Sequence, residues 1–121
     1  MDLAGQLLGG NVLGVTADPS VCTELKALME ENRLGVTIKS QVWASDSNTF
    51  AWKGVPALTL NRDGFGMHTR HDTVEYISPR GLEEGSKTLC TAAAWAANEP
   101  HFSFLREIPE EMQRELEKYF V

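Results

Sequence analysis

The segment GFGMHTRHDTVEYISP, residues 64–79, holds two of the chain's three histidines. Imidazole changes protonation near neutral pH and is among the commonest zinc ligands. His68 follows Gly64 and Gly66, whose backbones turn sharply at little steric cost, and precedes Thr69 and Asp72. Either of these could accept a hydrogen bond from the ring nitrogen that a metal leaves free. A zinc ligand with its own support fits the pattern, and so does a loop histidine satisfied by water. No HxxxH or HExxH accompanies His68, so spacing alone favours water. Met67 reads as buried, and His71 and His101 read as surface residues.

Asp46 lies in SDSNTF. Ser, Asp and Asn are the residues that best satisfy the free N–H groups at a helix start, so a cap is the first reading. A carboxylate beside a substrate is the second, and the two roles are compatible. Asp2, in MDLAG, reads on its own as an ordinary terminal residue. There is no GxSxG, P-loop or GxGxxG, so nucleophile-elbow hydrolases, NTPases and dinucleotide enzymes have no support. Cys22 and Cys90 belong to no CxxC pair and read as small apolar fillers. Trp43, Trp52 and Trp95 fall on elements with apolar faces and read as packing residues.

These residues need a scaffold. NVLGVT (11–16) fits a buried strand. A helix follows, with Asp18 as N-cap, Pro19 in its first turn, Val21, Leu25, Leu28 and Met29 as its stripe, and Gly35 after its end. VTIKSQVW (36–43) alternates like a strand covered on one face, residues 45–54 hold a short helix closed by Gly54, and VPALTL (55–60) reads as a strand buried on both faces. A long helix spans about 79–98, with Leu82, Leu89, Ala93 and Ala96 on one face. Ile108, Met112, Leu116, Tyr119 and Phe120 make the last segment amphipathic. Alternating strands and helices imply an α/β fold with a mainly parallel sheet flanked by helices. The 45–54 helix is short for a crossover, so one edge pairing could be antiparallel. Ligands of such sheets gather beyond strand C-termini. ASDSNTF and RDGFGMHTRHDT both follow strands and are expected to share one site.

Length and charge narrow the classes. A chain of 121 residues is one domain, and 42% hydrophobic with 23% charged residues is a globular composition. A net charge of −6 without a Lys/Arg cluster argues against nucleic acid and anionic membrane as partners. No apolar run approaches a membrane span, and MDLAGQLLGG lacks the basic start of a signal peptide. The expectation is a soluble chain, cytoplasmic by default.

In order, Asp2-Leu3-Ala4-Gly5, Ser45-Asp46-Ser47 through Phe50 to Gly54-Val55-Pro56, and His68-Thr69 through Asp72-Thr73 to Ile77, Pro79, Gly81 and Leu82 form a pattern. It resembles the second half of the zinc-dependent aminopeptidase family with co-catalytic metals, which also contains the glutaminyl cyclases. The resemblance covers residues 1 to about 98 and implies the phosphorylase/hydrolase-like zinc exopeptidase fold. It implies His68 as a ligand of one of two zinc ions, Asp2 as a ligand of the other, Asp46 as an acid beside the peptide substrate, and Asp72 as support for His68, a role the residues alone leave open between Asp72 and Thr69. The implied chemistry is hydrolysis of N-terminal peptide bonds by a metal-activated water. Ser47 stands where the family usually has histidine. Met67 stands where the aminopeptidases often have tyrosine and the cyclases tryptophan, which removes a hydroxyl donor to the tetrahedral intermediate.

A catalytic zinc takes about three protein ligands, and the resemblance gives this chain one per metal. The family's remaining ligands and its glutamate base lie upstream of the Asp-x-x-Gly segment. The expectation is therefore an incomplete domain. Residues 1–98 would form the C-terminal half of the catalytic domain and residues 99–121 an extension with an amphipathic helix. Such a chain would bind zinc weakly or not at all, be inactive alone, and self-associate or pair with an upstream half-domain. The alternatives are a non-catalytic remnant acting as a binding or oligomerisation module and a glutaminyl-cyclase-like acyltransferase.

Overall fold

The structure is a computed structural model and describes residues 4–62, 64–102, 104 and 106–121. Its elements run β1 (Asn11–Thr16), α1 (Pro19–Glu31), β2 (Val36–Ser40), α2 (Ser47–Trp52), β3 (Ala57–Arg62), α3 (Pro79–Asn98) and α4 (Glu110–Phe120), with a 3₁₀ turn at Val74–Tyr76. The three strands form one small mixed sheet in the order β2-β1-β3. It is an α/β domain. β1 is central and buried along its whole length, which its run of small and β-branched residues allows.

Alternation along β1 assigns the faces. Leu13 and Val15, with Leu58 and Leu60 opposite them on β3 and Ile38 on β2, pack against Val21, Leu25 and Met29 of α1 and Ala92 of α3. The other face carries Gly14 beside Thr59, and there Trp43 lies so close to Gly14 that a Cβ would meet its ring at 3.0 Å. α2 covers this side. Ala51 and Ala57 join Ile108, Met112 and Leu116 in a second cluster, and Trp52 stacks on Phe120 at 5.3 Å. Ile108 and α4 are thereby packed onto α2.

Asp18 caps α1 by accepting a hydrogen bond from the Ser20 amide at 2.9 Å. The helix ends differently from the sequence expectation. Arg33, not Gly35, takes the left-handed conformation, with φ 55°. The Arg33 and Leu34 amides donate back to the Glu30 and Met29 carbonyls, closing the helix while Leu34 turns into the core.

The sheet is evenly mixed rather than mainly parallel. β1 pairs β2 in parallel and β3 antiparallel, with Asn11 opposite Arg62 and Thr16 opposite Ala57. The short α2 segment cannot carry the chain back along the sheet, so β3 starts at the end where β2 stops. It begins at Ala57 because Gly54 (φ 76°) and Pro56 still belong to the turn. On α3 the buried stripe is Gly81, Gly85, Thr88 and Ala92. Leu82 and Ala93 are exposed, a correction to the expected face. At the start of the helix a small residue wins because the chain approaches closely, a Cβ on Gly81 meeting the Gly5 carbonyl at 3.0 Å, whereas one on Gly85 would make only ordinary contact with Leu60 at 3.5 Å. Cys22 is half-buried, whereas Cys90 is exposed and fills nothing. No helix among the described residues is long and apolar enough to cross a membrane.

Candidate functional site

The histidine loop leaves β3 at the end of the sheet where β1 begins. Gly66 (φ 77°) and His68 (φ 61°) both take left-handed backbone, and the amide and hydroxyl of Thr69 both donate to the Gly66 carbonyl, at 3.0 and 2.6 Å. The same hydroxyl accepts from the His71 amide at 3.1 Å. Thr69 is thus occupied with the loop's own backbone. Asp72 and His68 are exposed, and among the described residues neither side chain forms a hydrogen bond. Met67 is exposed as well (47%), which corrects its reading as buried. His71 and His101 are exposed.

The segment that follows Asp2 in sequence is held against this loop's downstream flank. Asp2 itself lies outside the described residues. Gln6 bridges Ile77 in antiparallel fashion, the Leu7 amide donates to the Tyr76 carbonyl at 2.6 Å, and the Ser78 amide donates to the Gly5 carbonyl at 2.8 Å. Ser78 also caps α3, accepting from the Gly81 amide at 2.8 Å. Gly5 (φ 78°) has no room for a side chain, since a Cβ would sit 2.5 Å from Leu82. At the other end of the loop a Cβ on Gly64 would meet the Gln6 side chain at 2.8 Å. Gly5, Ile77, Gly81 and Leu82, four positions of the sequence pattern, thus form one packed joint.

Asp46 lies elsewhere. Because β3 is antiparallel, the loops after β2 and β3 issue from opposite ends of the sheet, roughly 17 Å apart at about 3.4 Å per residue. The expected shared site is not formed. Asp46 is exposed and lines a cleft of about 370 Å³ with Ser45, Ser47, Phe50 and residues 55–58, and no residue of the 64–73 loop lines it. It occupies the N-cap position of α2 but makes no side-chain capping bond, a correction to its reading as a cap. Its own backbone is already helical, which turns the carboxylate away from the free amides. Ser47 instead bonds Thr59 at 2.6 Å, and the carbonyls of Ser45 and Asp46 take the amides of Asn48 and Thr49.

A polar group that the sequence did not single out is buried beside the joint. Arg62 donates from Nη1 to Asn11 Oδ1 at 3.0 Å and faces Glu84 at 3.5 Å, while its Nε is buried without a partner among the described residues. The Arg80 guanidinium, bonded to Glu84 at 2.9 Å, holds that carboxyl below the usual range, and Arg62 acts in the same direction. Only the cross-strand register of Asn11 and Arg62 brings them together, and no local motif announces it.

Among the described residues no group of three or more His, Cys, Asp or Glu side chains could hold a metal ion. The described residues alone do not make a zinc site. No family model, curated protein or solved structure matches the chain.

Proposed function

We propose that this chain is a part of a metal-dependent aminopeptidase-like domain, one that presents His68, and Asp2 with it, to ligands supplied from outside the described residues. The observation that carries the reading is the joint of Gly5 and Gln6 against Ile77, Ser78 and Gly81. It ties Gly5, the last position of the Asp-x-x-Gly pattern, to the flank of the histidine segment, as a shared metal centre would need. The left-handed backbone of His68 supports it too. A β-carbon in that conformation costs about 1 kcal/mol or more, and such outliers concentrate at functional sites. The reading gives Asp46 no place beside His68, and the isolated chain hydrolyses nothing.

Zinc titration of the purified chain, followed through the three imidazoles by NMR, tests this. The expected result is weak binding that shifts His68 more than His71 or His101, is lost in His68→Ala, and brings no cleavage of an aminoacyl reporter. Zinc that bypasses His68 would remove its metal role. Cleavage that depends on His68 would show the chain to be sufficient by itself.

A second reading, a binding or oligomerisation module, is favoured by the apolar side chains around the same loop. Leu7, Leu8, Phe65, Met67 and Val74 are all exposed. No feature of the described residues favours the glutaminyl-cyclase-like alternative over hydrolysis.

A further inference from the structure

A second cavity adjoins the Asp46 cleft across Val55, Pro56 and Leu58. Its volume is about 360 Å³, inside the range of roughly 300–1,000 Å³ typical of small-molecule sites. Val21, which is buried, and Leu58 of β3 form part of its apolar lining. Trp95 of α3 and Phe104 contribute aromatic surface with ring centroids 5.5 Å apart, and Phe102, half of its surface exposed, continues the array at 5.7 Å from Phe104. Every lining residue is apolar except Arg106.

Arg106 gives the cavity its chemistry. It is exposed, and among the described residues no carboxylate pairs with it and no acceptor takes its hydrogen bonds. A guanidinium presents a planar fork of donors that matches a carboxylate in bidentate geometry. An apolar, aromatic-walled cavity with one unpaired cation at its edge is complementary to a molecule with one apolar body and one anionic end. We propose that this cavity binds a small amphipathic monocarboxylate, an alkyl or aryl acid of medium size, with its chain against Trp95 and Phe104 and its carboxylate on Arg106. The site does not rest on the aminopeptidase reading: it shares no residue with the His68 joint, and with the Asp46 cleft it shares the apolar wall of Val55, Pro56 and Leu58 but not the carboxylate.

Octanoate and 1-octanol, which share an alkyl body and differ in the head group, are the probes. Each is titrated into the isotopically labelled full chain and read by amide and indole NMR shifts. Octanoate is expected to give saturable shifts at Leu58, Ala96, Arg106 and the Trp95 indole, with an affinity roughly tenfold above that of 1-octanol, the size of one charge-assisted hydrogen bond. Arg106→Gln should abolish the difference while leaving the alcohol's affinity unchanged, and Ala96→Phe, which fills the cavity, should abolish both. Equal affinities for acid and alcohol, shifts centred elsewhere, or no saturation at all would overturn the proposal. Should Ala96→Phe fail to fold, the Arg106→Gln comparison decides alone, because an exposed arginine can be changed without disturbing the core.

Discussion

Among the described residues, two other than glycine take left-handed backbone, and the difference between them separates structure from function. Arg33 is accounted for by its position: it is the residue after the cap of α1, where the helix closes through the Glu30 and Met29 carbonyls. Glycine is preferred there because it has no β-carbon to clash. Arg33→Gly is therefore expected to stabilise the fold by about 0.5–1 kcal/mol, offset slightly by the freedom glycine adds to the unfolded chain. His68 has the same backbone (φ 61°) in a loop already shaped by Gly66 and the Thr69 hydroxyl, with no helix to terminate. His68→Gly should stabilise by a similar amount and at the same time remove zinc-dependent shifts. Paired denaturant melts check both substitutions. A His68→Gly chain that is less stable than the parent would mean that the imidazole is a structural group, and the metal reading would lose its backbone argument.

At the scale of elements, periodicity located the pieces and polarity decided what they could do together. The 79–98 helix has the expected boundaries because Ser78-Pro79 is an unambiguous start, with a hydroxyl cap and a residue that needs no amide partner. The short helix and the last amphipathic helix were equally plain from their spacing. Strand direction was legible only in part: the short 45–54 helix pointed to one antiparallel edge pairing, as β3 makes, but hydrophobic alternation does not say which edge of β1 accepts the returning chain. Hence Asp46 and His68, each reasonable alone, were expected in one site and lie at opposite sheet ends. The α3 stripe was misassigned for a related reason: large apolar residues were counted as the buried face, whereas close approach at the start of the helix selects glycine. That approach can be tested. In Gly81→Ala the new β-carbon would lie 3.0–3.1 Å from the backbone of Gly5 and Gln6, which cannot yield as a flexible side chain would. The substitution should cost about 1–3 kcal/mol despite alanine's better helix propensity. It should also loosen hydrogen exchange at Leu7 and Ser78, whose amides close the joint. A neutral or stabilising outcome, with those two amides still protected, would show that Gly5–Leu7 is not clamped to the start of α3.

For the whole molecule, the balance to weigh is between an apolar surface and a net charge. Leu7, Leu8, Phe65, Met67 and Val74 cluster around the joint, with Leu8 61% and Val74 78% exposed. They are tied into one region by the Leu7–Tyr76 hydrogen bond and by the Phe65–Tyr76 ring contact at 5.2 Å. Apolar side chains gathered this way gain by burial against a like surface, at about 25 cal/mol for each Å² removed from water. Two copies of a chain with formal charge −6 repel each other, however, and that repulsion is screened by salt over about 10 Å at 0.1 M. Self-association should therefore strengthen as ionic strength rises from 10 to about 500 mM, and again as pH is lowered toward the sequence pI of about 5.0, where the net charge vanishes. Light scattering at fixed protein concentration reads both trends. Leu8→Asp together with Val74→Asp should hold the chain monomeric throughout, since each change removes apolar area and adds a charge at the contact. Association that weakens with salt would point instead to paired charges as the driving contact, and association unaffected by the double substitution would place the interface away from the histidine loop.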